Sequence, residues 1–442
     1  MRISGKIILS AAALCLGGMT VAAEEDEMAP AAADAQEVVN TAAELQAVTD
    51  AVDNLAAQSR LAEALPLAQR AVDLAEQQYG ASLALIDPMN QLINLQVELG
   101  ELADAEHNLS ELIKLVEEQD NIFSFDLIEP LALLAEIYSR TGRREEAITI
   151  LRRARHITHR RLGILNVEQI ELAEDLAENY FELGRISEAN RENRFAFRVN
   201  EREFGSDSAE LVPALNSLAR WYEQVGEHSV ARRLYRRTIE LIEQDYGEND
   251  LRLVEQLQRI AQTFRGQNLY KGEGKDALTR AVEIHEQNPQ TDVIEKARTL
   301  AELGDWMMVT SQRKQAMRVY RQAWNLLTGD GANPEKGDII FGKPKRLKYT
   351  PPIPEASLVF GRSEVYVDVE FLVTSNGMVT DLSIADASAH WRTQNNVRLA
   401  MRHARFRPKF KNGEPTDATM RYRWTYRVPK NQRSTPPAET PK

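Results

Sequence analysis

The segment AENYFELGRISEA, residues 177–189, returns in altered form every 42 residues along a 442-residue chain. Its glycine stands in a polar turn between two stretches of helical periodicity, which predicts the end of one helix and the start of the next. The equivalent glycines are Gly100, Gly142, Gly184 and Gly226. An alanine follows each glycine by five residues, and a small or apolar residue precedes each by seven. Because small residues let two helices approach closely, the pattern predicts a series of helix pairs.

The repeat continues less regularly on both sides of these four units. A weak helix pair precedes them around Thr49–Leu55 and Ala64–Ala75, and Gly304 and Tyr320 mark a final unit. Between the regular and final units, Lys271–Gly274 is expected to lengthen the turn of one pair. We expect about six pairs in all, from residue 44 to residue 328.

These recurring positions resemble the tetratricopeptide repeat family, in the 42-residue form found in kinesin light chains. The resemblance implies an α-solenoid that buries its core between neighbouring repeats and exposes a long concave face. It also implies that the first helix of each pair lines that face, as a groove for a peptide or protein partner. The groove positions transferred by register are Asn90, Asn94, Glu136, Glu174, Glu178, Asn216, Arg220 and Gln258.

The chemistry of these groove positions indicates the kind of ligand. Side-chain amides can hydrogen-bond the backbone of an extended peptide. The set is rich in acids and amides, which favours a neutral or basic peptide. The alternative is that these residues form an ordinary solvated helix face.

After a proline-rich stretch, the spacing of apolar residues changes from the helical period to a period of two residues. Val365, Val367, Val369, Phe371 and Val373 alternate along a predicted strand. Asn376-Gly377 predicts a tight hairpin turn into a second strand, Met378–Ile384. Asn396–Phe406 is a predicted helix, and a last strand alternates aromatic residues with Arg421, Arg423 and Arg427. The predicted order is strand, strand, helix, strand.

Four short motifs accompany this order: VDVEFLV at 367–373, SNGMV at 375–379, ARFRP at 404–408 and NGEP at 412–415. Together they resemble the C-terminal domain of TonB energy transducers, over residues 345–429. The resemblance implies a Gram-negative periplasm and binding of an extended segment of an outer-membrane receptor by strand addition. Arg421, Arg423 and Arg427 are then candidates for an edge strand and basic surface. The fold class is mainly α, a tetratricopeptide-type solenoid followed by a small α+β domain.

The N-terminal sequence predicts export. Arg2 and Lys6 precede an apolar stretch from Ile7 to Leu16 and a small-residue site at 21–23, the pattern of a cleavable signal peptide over residues 1–23. Residues 24–43 are then an acidic and alanine-rich linker, 329–344 a second linker and 430–442 a disordered tail. After cleavage no membrane anchor remains. If the segment is retained, the protein is instead anchored in the inner membrane and faces the periplasm.

Charge divides the chain into an acidic body and a basic end. Residues 341–442 carry 18 Lys and Arg against nine Asp and Glu, a net charge of +9, whereas residues 24–340 carry a net charge of −23. Opposite charges of this size favour attraction between the two parts.

The arginines of the last strand interleave with aromatic residues as in nucleic-acid-binding proteins. Alternation alone gives that pattern when one face is buried, so no nucleic-acid partner is predicted.

Sequence motifs for catalysis, metals and cofactors are weak. The single cysteine, Cys15, lies in the signal segment, so the mature chain is expected to have no thiol. His156 and His159 stand one helical turn apart among arginines, without a third ligand at a defined spacing. Gly272–Lys275 lacks the spacing of a phosphate loop. These observations predict a protein that is not an enzyme and uses no cofactor or metal.

Three functional hypotheses follow. The first is a periplasmic adaptor that binds protein or peptide partners, such as TonB-dependent outer-membrane receptors or transport components. The second is a membrane-anchored TonB-family energy transducer, which requires an uncleaved N-terminal segment. The third is an enzyme whose site has no recognisable motif.

Overall fold

The computed structural model describes residues 29–270, 272–329, 333–349 and 364–427, with side chains from residue 41 to residue 426. The predicted signal segment, its Cys15 and the predicted tail from residue 430 lie outside the described residues. The described residues form two compact units, which divide between Arg161 and Leu162.

The first unit consists of three antiparallel helix pairs. Its helices are α1 (Ala29–Ala57), α2 (Leu61–Tyr79), α3 (Ile86–Leu99), α4 (Leu102–Gln119), α5 (Ile128–Arg140) and α6 (Arg144–Leu162). Helix α1 begins inside the segment 24–43, which the sequence analysis treated as a linker. The alanine-rich composition of that segment explains the difference, because alanine has the highest helix propensity.

The second unit begins with four more helix pairs. They are α7 (Gln169–Glu182) with α8 (Ile186–Phe204), α9 (Val212–Gln224) with α10 (His228–Tyr246), α11 (Arg252–Gly266) with α12 (Gly272–Gln287), and α13 (Val293–Val309) with α14 (Arg313–Thr328). The described residues thus contain seven pairs, one more than the sequence predicts. The weak first pair expected around Thr49–Leu55 and Ala64–Ala75 is α1 with α2.

Gly142 shows why the turns need glycine. Its φ angle is +81°, and a Cβ built on it would meet nothing within 4 Å. The requirement therefore comes from the left-handed backbone and not from crowding. Arg143 N–H donates to Tyr138 O at 2.7 Å across this turn, the long hydrogen bond of a Schellman cap. The alanines five residues after the turn glycines are fully buried, as the repeat predicts: Ala105, Ala147, Ala189 and Ala231.

The turn between α11 and α12 is longer than the turn between α9 and α10, as expected, but it spans 267–271 and not Lys271–Gly274, because helix α12 already begins at Gly272. Gly274 is buried inside the first turn of that helix, directly against the indole of Trp306 on α13. A methyl group at this position would collide with the indole ring. The glycine therefore serves close packing between α12 and α13.

Arginines on three of the second helices join neighbouring repeats. In the first unit Arg153 of α6 pairs with Glu117 of α4 and donates to the Ile122 carbonyl. In the second unit Arg237 of α10 pairs with Glu201 of α8 at 2.8 Å and donates to the Ser206 carbonyl at 2.9 Å. Arg280 of α12 binds Glu243 and the Glu248 carbonyl in the same way. Each arginine fixes a helix end and the loop that follows it.

A small α+β domain completes the second unit. After a 3-10 turn at Pro334–Gly337 come α15 (Asp338–Phe341), β1 (Lys345–Lys348), β2 (Glu364–Val373), β3 (Val379–Ala387), α16 (Trp391–Arg402), β4 (Arg405–Arg407), β5 (Lys409–Lys411), β6 (Glu414–Thr416) and β7 (Ala418–Arg427). The main sheet is antiparallel with order β3-β2-β7, and β1 pairs with β4 and β5 with β6. The predicted order of strand, strand, helix and strand is confirmed, while the predicted linker 329–344 contains two short helical segments.

The core of this domain lies between the sheet and α16. The alternating residues of β2 predicted from the sequence, Val365 to Val373, are buried on the face that α16 covers with Val397 and Met401. The predicted limits of the helix, 396–406, are wrong. The His390 side chain caps the N-terminus at Trp391, which starts the helix early. The chain from Arg405 to Arg407 pairs with β1 and cannot remain helical.

Candidate functional site

The groove residues of the first unit lie on first helices, as the register predicts. Asn90 and Asn94 are on α3 and Glu136 is on α5. Asn94 and Glu136 are exposed, and Glu136 lies 3.7 Å from Arg140 one turn away. Asn90 is half-buried, and its Oδ1 atom is buried without a hydrogen-bond partner among the described residues.

The second unit places the other groove residues on α7, α9 and α11. Glu174 and Glu178 on α7 are exposed, and so is Arg220 on α9, which lies 3.4 Å from the Ser217 hydroxyl. Asn216 on α9 stands three repeats after Asn90, and its Oδ1 atom is likewise buried without a described partner. The same repeat position thus presents an unpaired amide oxygen in each unit.

Gln258 differs from the other groove residues because its side chain is hydrogen-bonded to a neighbouring helix. Its Nε2 donates to the Thr299 hydroxyl at 2.9 Å, and the same hydroxyl lies 3.0 Å from His285 Nε2. His285 Nδ1 lies 2.6 Å from the Thr291 hydroxyl. Burial lowers the pKa of His285, and the positive charge of Lys296 lowers it further. The network joins α11, α12 and α13 and holds a neutral imidazole in the interior.

Strand β7 is an edge of the main sheet. It pairs with β2 along its whole length, from Glu364 opposite Arg427 to Val373 opposite Ala418. No strand within the described ranges occupies its other side. Its backbone therefore offers a row of N–H and C=O groups to an added strand.

The arginines of β7 lie on the face opposite the core. Asp368 of β2 is buried there beneath two of them and accepts two hydrogen bonds of 2.7 Å from Arg423 and one of 3.4 Å from Arg421. Hydrogen bonding from Arg423 lowers the pKa of Asp368. Arg427 ends the strand, and its side chain lies outside the described ones. The two described arginines thus share one carboxylate, and the exposed Glu370 of β2 stands opposite Arg421.

A buried ion pair fixes the α+β domain to the last helix pair. Arg407 of β4 binds Asp305 of α13 through two hydrogen bonds, Nε to Oδ1 at 2.8 Å and Nη2 to Oδ2 at 2.6 Å. The Tyr320 hydroxyl donates to the same carboxylate at 2.8 Å, and Lys345 Nζ lies 3.8 Å away. Burial raises the pKa of Tyr320 and lowers the pKa of Lys345. Sequence reasoning missed this site, although an aspartate beside Gly304 and Trp306 on a core-forming helix was a signal.

Aromatic residues surround this ion pair. Phe410 of β5 packs against Phe341, Tyr320 and Trp324, with ring centroids 4.8, 6.1 and 6.1 Å apart. Glu414 pairs with Arg321 of α14 at 2.7 Å near the rim. The residues of the ARFRP and NGEP motifs therefore hold the domain against α13 and α14.

The structure gives no support to a metal site. His156 is exposed, and its ring contacts Phe123 edge to face with centroids 5.8 Å apart. Nowhere in the described ranges do three or more His, Cys, Asp or Glu side chains come together in a way that could hold a metal ion. Within the same ranges no helix has the length and apolar character needed to cross a bilayer.

Comparison with known proteins agrees with this architecture. Residues 361–428 match the family of Gram-negative bacterial TonB protein C-terminal domains, and residues 131–163 and 214–248 match a tetratricopeptide repeat family. No curated protein is a significant match. The structure is similar to that of BtubC from P. vanneervenii, at 19% identity over 57% of this chain and 96% of that chain with a TM-score of 0.39.

A second similar structure is the C-terminal part of a tetratricopeptide repeat-containing protein from Cytophaga hutchinsonii. It is 13% identical, with 65% of this chain and 97% of that chain covered and a TM-score of 0.45. Tetratricopeptide repeats serve as protein-interaction scaffolds, and the terminal domain links the chain to the TonB family. The chain contains tetratricopeptide repeats, at residues 131–163 and 214–248, and a TonB-type C-terminal domain at residues 361–428.

Proposed function

We propose that this protein is a non-catalytic periplasmic adaptor with two binding surfaces. The repeats bind a peptide or protein, and the TonB-type domain binds an extended segment of a second partner by adding it to β7. The observation that carries the proposal is the outer edge of β7, which no described strand covers although the domain is held in place by Arg407 and Asp305. Backbone hydrogen bonds along such an edge supply affinity for an extended chain.

The chemistry of the first helices supports the peptide-binding role of the repeats. Asn90 and Asn216 each have an amide oxygen without a described partner, and rotation of the half-buried side chain would bring this oxygen to an N–H group of a peptide backbone. Glu174 and Glu178 on α7 are exposed acidic residues, and Glu174 precedes Asn216 by one repeat length. Their negative charge favours a neutral or basic ligand. Gln258 is committed to Thr299 and contributes to the fold and not to the binding surface.

The periplasmic location rests on the N-terminal sequence and on the family of the terminal domain. Candidates for the partner of β7 are TonB-dependent outer-membrane receptors and transport components. The alternative function is that of an anchored energy transducer. It requires that the N-terminal segment is not cleaved, so that the apolar stretch Ile7–Leu16 ties the chain to the inner membrane.

Strand addition can be tested with synthetic peptides. The probes are the periplasm-facing terminal segments of the host's outer-membrane receptors, each made also with N-methyl groups at alternate residues. N-methylation on the side that pairs with β7 should abolish binding, because each methyl group removes a backbone donor. Methylation at the intervening residues should leave binding intact. Equal binding of all methylated forms, or no binding of any segment, would contradict strand addition.

A further inference from the structure

The solvent-facing side of helix α16 combines exposed apolar and basic side chains. The chain has five tryptophans, and four of them are buried: Trp221, Trp306, Trp324 and Trp424. Trp391, the first residue of α16, is 64% exposed. Leu399, two turns along the same helix, is 48% exposed. Large apolar side chains this accessible indicate an interaction surface when they share one face.

Three arginines flank Trp391 and Leu399. Arg392, Arg398 and Arg402 are exposed on the same side of α16, at helical spacing from the two apolar residues. The opposite side of the helix carries Thr393, Val397 and Met401, which are buried against the sheet. The helix contains no acidic residue, and none of the three arginines pairs with a carboxylate among the described residues. The exposed side is therefore uniformly basic around two apolar groups.

We propose that this face of α16 docks the TonB-type domain on an anionic phospholipid bilayer. A basic helix with tryptophan and leucine among its arginines is suited to lie in the membrane interface, where the ring and the aliphatic chain enter the headgroup region. The arginines meet lipid phosphates, which they bind in bidentate fashion. The net charge of +9 over residues 341–442 adds attraction to an anionic surface.

The shape of this face favours a bilayer over a protein partner. Its apolar groups stand on a convex helix of 12 residues and are separated by arginines, whereas a protein interface centres on a contiguous apolar patch or pocket. An apolar depression of the terminal region lies elsewhere, around Val293 and Ile339. The α16 face is also distinct from the edge of β7, so bilayer docking and strand addition can occur together.

Vesicle binding tests the proposal, with the chain from Glu24 onward. This choice removes none of the described residues and excludes binding by the apolar stretch Ile7–Leu16. The probes are phosphatidylcholine vesicles with or without about one third phosphatidylglycerol. Vesicles containing phosphatidylglycerol should shift the tryptophan emission to the blue and protect it from iodide, because Trp391 is the exposed tryptophan. High salt should reverse both effects.

Variants distinguish vesicle binding by the α16 face from attraction by the overall net charge. The triple variant R392Q/R398Q/R402Q should bind these vesicles about a hundredfold more weakly, at about 1 kcal/mol per basic residue. W391A/L399A should abolish the emission shift. The matched control is R191Q/R194Q/R198Q, which removes the same charge from exposed positions of α8 and should bind like the unchanged chain. All substituted residues are exposed, so unchanged melting temperatures confirm folding.

Three outcomes would overturn the proposal. The first is that vesicles with and without phosphatidylglycerol bind equally or not at all. The second is that the α8 control loses binding as strongly as the α16 variant, which would assign binding to net charge. The third is that an acidic protein binds the α16 face while vesicles do not.

Discussion

Arg407 and Asp305 form a buried, bidentate ion pair across 102 residues of sequence, with the two side chains 4% and 1% exposed. Burial of a guanidinium opposes its charge, but the Asp305 carboxylate raises the pKa of Arg407 and keeps it protonated. The pair connects the motif by which the terminal domain resembles the TonB family to the last helix pair. The domain is therefore a fixed extension of that repeat and not a freely tethered module.

Breaking this pair should destabilise the second unit. Asp305→Asn leaves a buried arginine without a countercharge, and the free energy of unfolding should fall by about 3–5 kcal/mol. D305L/R407M should recover much of the loss, because two apolar residues leave no uncompensated charge. Urea denaturation measures both effects.

The matched control is the ion pair between Arg321 and Glu414, whose side chains are 46% and 67% exposed. Glu414→Gln should cost at most about 1 kcal/mol. Equal losses in Asp305→Asn and Glu414→Gln would show that the buried pair is no more important than the exposed one.

The buried His285 should make stability depend on pH. Its pKa is lowered in the folded state, so the unfolded chain binds more protons as the pH falls below the ordinary histidine value of about 6.5. The stabilisation that neutral His285 gives to the folded state is therefore complete above the ordinary histidine pKa. It is lost as the pH falls from there to the lower pKa of the folded state. Denaturation between about pH 5 and about pH 8 should show a smaller slope for His285→Asn than for the unchanged chain.

The unchanged chain is the control for this titration. If His285→Asn has the same slope as the unchanged chain, the imidazole does not titrate differently on folding.

Two glycines should respond differently to substitution by alanine. Gly142→Ala should cost about 1–2 kcal/mol, because the left-handed backbone disfavours a Cβ. Gly274→Ala should cost about 1–3 kcal/mol, because the new methyl group collides with the Trp306 indole. Adding Trp306→Phe should recover part of the loss at Gly274 and none at Gly142. Additive losses in G274A/W306F, measured by thermal unfolding, would rule out the collision.

Asn216 and Gln258 occupy equivalent repeat positions but should behave oppositely. Asn216→Ala removes an oxygen without a described partner, so it should lower affinity about tenfold for peptides selected by the repeats and leave stability unchanged. Gln258→Ala breaks the hydrogen bond to Thr299 and should lower the free energy of unfolding by about 1 kcal/mol. Titration with selected peptides and denaturation of both variants measure the two effects. A loss of stability in Asn216→Ala without a loss of affinity would assign this residue to the fold.

The parts of the fold that repeat could be predicted from the sequence. The spacing of Gly142 and its equivalents located the turns, and the alternation around Tyr422 and Arg423 gave the two faces of β7. Local patterns of this kind need no knowledge of distant contacts. The limits of α16 failed because pairing of β1 with Arg405–Arg407, some 60 residues away in sequence, overrides local helix propensity.

Contacts between residues that are far apart in sequence could not be predicted. Asp305 and Arg407 belong to segments that were predicted separately, and nothing in either segment specifies the other. The repeat-joining arginines left a partial signal, since Arg153 and Arg237 stand two repeat lengths apart. Arg280 lies one residue beyond the position expected one repeat length after Arg237, so the recurrence of these arginines is hard to recognise in the sequence.

The mature N-terminus and location of the native protein test the adaptor function most directly. Intact mass and cell fractionation give both. The adaptor proposal predicts a chain that begins near Glu24 and is recovered in the soluble periplasmic fraction. A chain that retains Met1 and fractionates with the inner membrane would contradict it and identify an anchored transducer whose repeats separate the membrane from the terminal domain.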